Sequence, residues 1–291
     1  MAIYLDNAAT TFLDKQVVRL VSSLSREKVA NPASLHHLGV RAAVWVEHSR
    51  QIMAKRIHAD PQEIYFFSGG TEANNTVIKG VASARKKHGN HVIVSAIEHP
   101  SILEPARWLQ RQGLHVSYVK VDREGAVDPG DVARLITSKT ILVSVMHANN
   151  EIGTIQPLRA IGQLCRKKEI YFHTDACQSF TKVPIDVRRD FLDIATLNSH
   201  KIHGPRGVAA LFIRKGVAIE PLLHGGHQED GLRAGTYNTE GIAGFGKAVE
   251  IVDGHDIRRM EQLRDYFISH IEGNITGAVL NGSRRSRLCN N

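Results

Sequence analysis

Lys201 follows the apolar run of residues 192–197 and precedes the turn Gly204-Pro205-Arg206-Gly207. That order places it at the end of an expected strand. A lysine that is buried or crowded by cations loses its proton readily, and the free amine attacks carbonyl carbon. A solvated lysine at a strand end is the plain alternative. Upstream, Ser68-Gly69-Gly70-Thr71 follows another apolar run. Glycines at a strand-to-helix turn admit an anion to the free N–H groups of the helix start, and the Thr71 hydroxyl adds a donor. A threonine helix cap with no anion reads the same way. Asp175 closes a third run, where a part-buried carboxylate requires a partner. A cationic ring N–H would serve, and so would a helix cap or a structural ion pair. Gln178 stands three residues on, and His99 closes a fourth run. Such a histidine can lie flat against a ring, move protons, or simply be hydrogen-bonded in the structure.

The elements that must position these residues alternate. Strands are expected over 63–67, 91–95, 141–146, 170–173 and 192–197, each running into a polar cluster, with helical patterns such as 101–112 and 158–168 between the first four. This alternation implies an open, mostly parallel α/β sheet with helices on both faces, and ligands in such sheets sit beyond the carboxyl ends of the strands. The turn after Lys201 is too short for a crossover helix, so 207–213 is expected to run antiparallel. Helices are also expected over 14–28 and 38–57, the second with an apolar face of Val40, Ala43, Val44, Val46 and Ile52. Residues 242–272 read as mainly helical, and 278–280 as a short strand.

Composition narrows the class. A chain of 291 residues with 42% hydrophobic and 23% charged residues can bury a large core. No apolar run approaches membrane-spanning length and the N-terminus lacks the pattern of a signal peptide, so a cytoplasmic setting is expected. Cys165, Cys177 and Cys289 have neither disulfide nor zinc spacing, and His224, His227, Glu229 and Asp230 match no zinc pattern. The net charge of +8 suits anionic ligands. Its basic runs, Arg284-Arg285-Ser286-Arg287 and Arg85-Lys86-Lys87, lack interleaved aromatics, so nucleic-acid binding is not expected.

Together the motifs resemble the cysteine desulfurases, a branch of the class V aminotransferase family that uses pyridoxal 5'-phosphate (PLP). The matching stretches are Tyr-Leu-Asp-Asn-Ala-Ala-Thr-Thr at 4–11, Asn-Pro-Ala-Ser at 31–34, Ser-Gly-Gly-Thr-Glu-Ala-Asn-Asn at 68–75 and Glu-His-Pro at 98–100. Further on come Asn-Asn-Glu-Ile-Gly-Thr-Ile-Gln at 149–156, His-Thr-Asp-Ala-Cys-Gln at 173–178, the Lys201 stretch, and Gly-Leu-Arg-Ala-Gly-Thr at 231–236.

The resemblance implies a PLP fold type I large domain over 13–255, with 1–12 and 256–291 forming an N-terminal segment and an incomplete small domain. It implies that Lys201 holds PLP covalently and then carries protons. It also implies that Gly70, Thr71, Asn198, Ser199 and His200 surround the phosphate. His99 would stack on the ring and share in catalysis, Asp175 would pair with the ring nitrogen, and Asn150 and Gln178 would hold the phenolic-oxygen side. Thr236 would reach the phosphate of a neighbouring subunit in a homodimer. The implied reaction moves sulfur from L-cysteine to an enzyme persulfide and releases L-alanine, feeding iron–sulfur cluster assembly or tRNA thiolation through an acceptor protein. The alternatives are transamination, β-elimination, or PLP binding without turnover.

Two positions depart from the family pattern. Asn198 stands where the family usually has serine, and Gly225-Gly226-His227 stands where it has three glycines. The family's sulfur-accepting cysteine and its carboxylate-gripping arginine lie beyond the position matching Asn291, so impaired desulfuration is expected of these 291 residues.

Overall fold

The computed structural model describes residues 3–27 and 29–291. The expectations that fall on Met1, Ala2 and Lys28 lie outside the described residues. One seven-stranded sheet carries the molecule, in the order β1-β7-β6-β5-β4-β2-β3. Its strands are β1 (Ile64–Phe67), β2 (His91–Ser95), β3 (His115–Val119), β4 (Thr140–Ser144), β5 (Tyr171–Asp175), β6 (Ile194–Asn198) and β7 (Ala209–Ile213). Only β7 runs against its neighbours, β1 and β6, which leaves the other six parallel. The short link after Lys201 dictates that reversal.

Helices α1 (Lys15–Arg26), α2 (His37–Ile57), α3 (Gly70–Ala84), α4 (Pro100–Arg111), α5 (Pro129–Leu135), α6 (Leu158–Lys167) and α7 (Thr239–Glu250) are followed by α8 (Gly254–Asn274). Strand side chains alternate between two cores. Ile64, Phe66 and Ile93 face Met53, Ile57 and Phe245 on one side, while Phe67, Val92 and Val94 face Val77, Ile102 and Leu109 on the other. Each fully buried side chain of this size contributes about 1.5–3 kcal/mol, which makes the register of the strands costly to shift. Strands β2, β4, β6 and β7 are buried along their whole length, as strands covered on both faces must be.

Four expectations need correction. Strand β3 stands outside the expected strands because His115 and Ser117 interrupt its apolar residues; among the described strands it is an edge strand, paired with β2. Helix α2 buries Ala42, Val46, Met53 and Ile57, while Val40 and Val44 stand 53% and 61% exposed on a second apolar stripe. The 242–272 helix is two helices, α7 and α8, separated where the Asp253 carboxylate caps the His255 N–H at 2.9 Å. Residues 278–280 form no strand.

The segment after α8 returns to the body. Leu288 N–H donates to the Gly153 carbonyl at 2.9 Å, and Arg264 donates to the carbonyls of Arg287 and Leu288. Among the described residues no helix is long and apolar enough to cross a membrane, and no cluster of ligating side chains could hold a metal ion.

Candidate active site

The carboxyl ends of β1, β2, β4, β5 and β6 open into one cleft of about 520 Å³. Gly70, Thr71, His99, Asn150, Asp175 and Gln178 line it, and so do Asn198, His200 and Lys201. These residues span 132 positions of sequence, 201 less 69, and only the parallel sheet brings them to one edge.

Lys201 occupies a tight turn beyond β6, where the Ile202 and Gly204 N–H groups both donate to the Ser199 carbonyl. The N-terminal segment ties that turn down. Thr11 N–H donates to the His200 carbonyl at 2.9 Å, and His203 N–H donates to Thr11 Oγ1 at 2.7 Å. The Lys201 amine itself donates to the carbonyls of Ala8 and Ala9. Burial lowers its proton affinity below the ordinary value, against the opposing pull of Cys177 and Asp175. That shift favours the neutral amine a nucleophile requires.

At the opposite wall, α3 begins at Gly70 with no side-chain cap. Its first N–H groups and the Thr71 hydroxyl are therefore available to an anion. A Cβ on Gly70 would come within 3.0 Å of Cys177 Sγ and 3.1 Å of Asn198 Nδ2, so glycine keeps this end of the cleft open. His200, drawn down to about 4 by burial and by Lys201, Arg206 and Lys182, is a neutral ring here.

Asp175 ends β5 almost fully buried. Its Oδ1 accepts from Cys177 N–H at 2.9 Å and its Oδ2 from Asn74 Nδ2 at 2.7 Å. The remaining lone pairs suit a cationic N–H from a ring in the cleft. His99 caps α4, and its Nδ1 accepts from Ser101 N–H at 3.1 Å. Gln178 Nε2 donates to the Ala8 carbonyl, while its buried Oε1 has no partner among the described residues. Asn150 donates to Glu151 Oε1 at the rim.

Ser199 and Thr236 do not line the cleft, and the resemblance assigns Thr236 to the neighbouring subunit's phosphate. Ser199 is fully buried behind the cleft, facing Gly204, where a Cβ would sit 2.1 Å from Ser199 Oγ. Thr236 lines a separate small recess with Glu229, Arg233 and Asn238. Asn74, Ser101, Thr10 and Arg206 also line the cleft, though sequence reasoning had not singled them out. For Asn74 a signal existed: it stands four residues after Gly70 on α3, hence on the same helix face.

A donor-lined anion end, a buried carboxylate and a lysine amine within one cleft match the donor set that a phosphorylated pyridine aldehyde requires. The family model of the class-V aminotransferases ("Aminotransferase class-V") matches residues 3–281. The chain belongs to that family, in its cysteine desulfurase branch. A protein described as cysteine desulfurase IscS, from Dictyoglomus turgidum (strain DSM 6724 / Z-1310), is 47% identical over 99% of this chain and 74% of its own length. The protein of the same description from Methanosarcina thermophila is 44% identical over 100% and 72%. Among solved structures, a NifS-like protein superimposes with a TM-score of 0.94 at 39% identity, covering 99% of this chain and 80% of that one. A structure described as SspA in complex with cysteine gives 0.87 at 36% identity, covering 94% and 78%.

Proposed function

We propose that this protein is a PLP-dependent cysteine desulfurase acting on L-cysteine. The observation that carries the reading is the shared cleft of the Lys201 amine, the Asp175 carboxylate and the uncapped start of α3. When bound, PLP supplies an electron sink next to the substrate's α-carbon. Gly70, Thr71, Asn198 and His200 would hold the phosphate, Asp175 would keep the ring nitrogen protonated, and Gln178 and Asn150 would face the phenolic oxygen. His99 would lie against the ring. Its Nδ1 accepts from Ser101 N–H, so the ring's proton is on Nε2. Lys201, once released from the cofactor, would take up and return the α-proton.

In the overall reaction a thiolate attacks the substrate sulfur and the Cβ–S bond breaks. The attacking thiol becomes a persulfide, and the carbon fragment gains a proton to leave as alanine. That attack requires an accessible thiolate. Cys165 is fully buried and pushed up to about 12 by burial. Cys177 sits in the cleft wall and Cys289 is buried, and burial raises both thiols. None of the three is set up as the acceptor, so these 291 residues would release alanine slowly.

A homodimer belongs to the same reading. The exposed stripe of Val40 and Val44 on α2, with Phe12 and Val18 also exposed, offers apolar surface for a second copy. Thr236, outside its own chain's cleft, would then serve the neighbour's phosphate. A cytoplasmic setting and delivery of sulfur to an acceptor protein for iron–sulfur cluster assembly or tRNA thiolation complete the proposal.

The test is product analysis. Protein reconstituted with PLP is given L-cysteine and a reductant, and alanine, pyruvate and sulfide are measured. Slow alanine formation that an added small thiol accelerates supports the reading. Pyruvate with sulfide and no alanine would replace it with β-elimination.

A further inference from the structure

Asn74 is 1% exposed and every polar atom of its amide is engaged. Nδ2 donates to Asp175 Oδ2 at 2.7 Å and to Ser101 Oγ at 2.8 Å, while Oδ1 accepts from Thr196 Oγ1 at 2.7 Å. An ionised carboxylate can only accept, so Asp175 fixes which end of the amide is Nδ2. The rest follows by donor and acceptor matching. With its proton spent on Asn74, Thr196 Oγ1 must accept from His173 Nε2–H, 3.0 Å away. The bare His173 Nδ1 then accepts from the Ser144 hydroxyl at 2.8 Å. On the other arm, Ser101 Oγ accepts from Asn74 and sends its own proton to His99 Nδ1 at 2.7 Å.

We propose that Asn74 is the positioning residue of this active site, an amide that joins the Asp175 carboxylate to His99 on one side and to the buried Thr196–His173–Ser144 chain on the other. This deepens the PLP reading and rests on it for its consequence. Donation from Asn74 and from Cys177 N–H fixes the orientation of the Asp175 carboxylate and leaves its remaining lone pairs for the ring nitrogen that would meet it. Because Asn74 lies one helical turn beyond Gly70, the same helix whose N-terminus would meet the phosphate also orients the Asp175 carboxylate. Burial draws His173 down to about 4, consistent with a neutral ring that donates through one nitrogen and accepts through the other.

Nitrogen NMR of the apoprotein labelled in histidine reads the relay without cofactor. His173 of the unaltered chain should show one neutral tautomer, protonated at Nε2. Asn74→Leu, near in shape and without hydrogen bonds, should give mixed His173 tautomers and weaken PLP binding by roughly tenfold or more. Asn74→Asp keeps the acceptor for Thr196, so the single tautomer should return. Its new carboxylate, however, meets that of Asp175, and carbon NMR should show the pair sharing a proton, a titration absent from the unaltered chain. If Asn74→Leu does not fold, Thr196→Val reads the same arm: a mixed His173 tautomer supports the relay and an unchanged one overturns it. A folded Asn74→Leu with unchanged tautomer and PLP affinity also overturns it. Should the unaltered chain bind no PLP, the cofactor reading fails, while the tautomer comparison still decides the relay.

Discussion

Arg50 and Glu229 form a two-pronged ion pair beneath the loop that carries Thr236, with Nη2–Oε1 at 2.8 Å and Nη1–Oε2 at 3.0 Å. The Glu229 carboxylate also accepts from Phe66 N–H on β1 at 2.8 Å, and the guanidinium lies 5.0 Å from the Phe66 ring centre. Glu229 holds a left-handed backbone, φ 49°, that a residue other than glycine adopts at a cost. Glu229→Ala takes away the buried partner of Arg50, which keeps Glu47 and the Ile64 carbonyl, and leaves the Phe66 N–H of β1 unmatched. The expected loss is about 3 kcal/mol, the lower end for a broken buried pair because Arg50 keeps some solvent contact. Thermal melting should fall by several degrees, and limited proteolysis should open residues 224–238 first. Replacing both partners by apolar residues should recover much of the loss.

Lys201 should carry the cofactor. Borohydride added to PLP-loaded protein should fix the label on the peptide containing Lys201. Lys182 is the informative competitor, since burial draws its ammonium down to about 8. Its amine is engaged with the Gln178 carbonyl at 3.0 Å, and it does not line the cleft. A label on Lys182 would overturn the assignment. Lys201→Ala should leave PLP displaceable by added amino acids.

Gly70→Ala tests the anion end. The added methyl would sit 3.0 Å from Cys177 Sγ and 3.1 Å from Asn198 Nδ2, so one of them must give way. PLP affinity should drop by about tenfold while melting changes by less than about 1 kcal/mol, since alanine favours the helix. Cys177→Ala in the same chain should relieve part of the effect. Equilibrium dialysis against PLP measures both.

Stability should peak near neutrality for a local reason. His147 and His173 are buried and neutral, each drawn by burial from 6.5 to about 4. Their contribution is fully present above pH 6.5 and is lost as pH falls through 4. Glu98 is the reverse case, pushed from 4.5 up to about 8 by burial, with the charge of Asp175 adding. Its contribution is complete below pH 4.5 and is lost as pH rises through 8. Between 4.5 and 6.5 these two histidines and His200, drawn down likewise, gain against one carboxyl, at up to about 1.4 kcal/mol per pH unit per proton for a buried group. Above 6.5 the Glu98 limb is left. Melting temperature should therefore rise from pH 5 to about 6.5 and then decline toward 8. Glu98→Gln, which keeps the acceptor for Ser95 and Met146 N–H, should flatten the upper limb.

Much of the site was legible because its chemistry sits at strand ends, and strand ends are local signals. Apolar runs closing on Gly70, His99, Asp175 and Lys201, with turns too short or long enough for a crossover, determine a parallel sheet edge and a single reversal at β7. Three things only the tertiary structure decided. Val40 and Val44 share α2's apolar character with Val46, yet which stripe faces the sheet depends on where α7 packs. Ser199 stands two residues from Lys201, but the turn closed over Gly204 swings its hydroxyl away from the cleft. Asn74 reaches Asp175 across 101 residues and Thr196 across 122. Periodicity reports which way a side chain points from its own helix or strand. A hydrogen bond between elements also depends on how they pack, and that is set by the whole core at once.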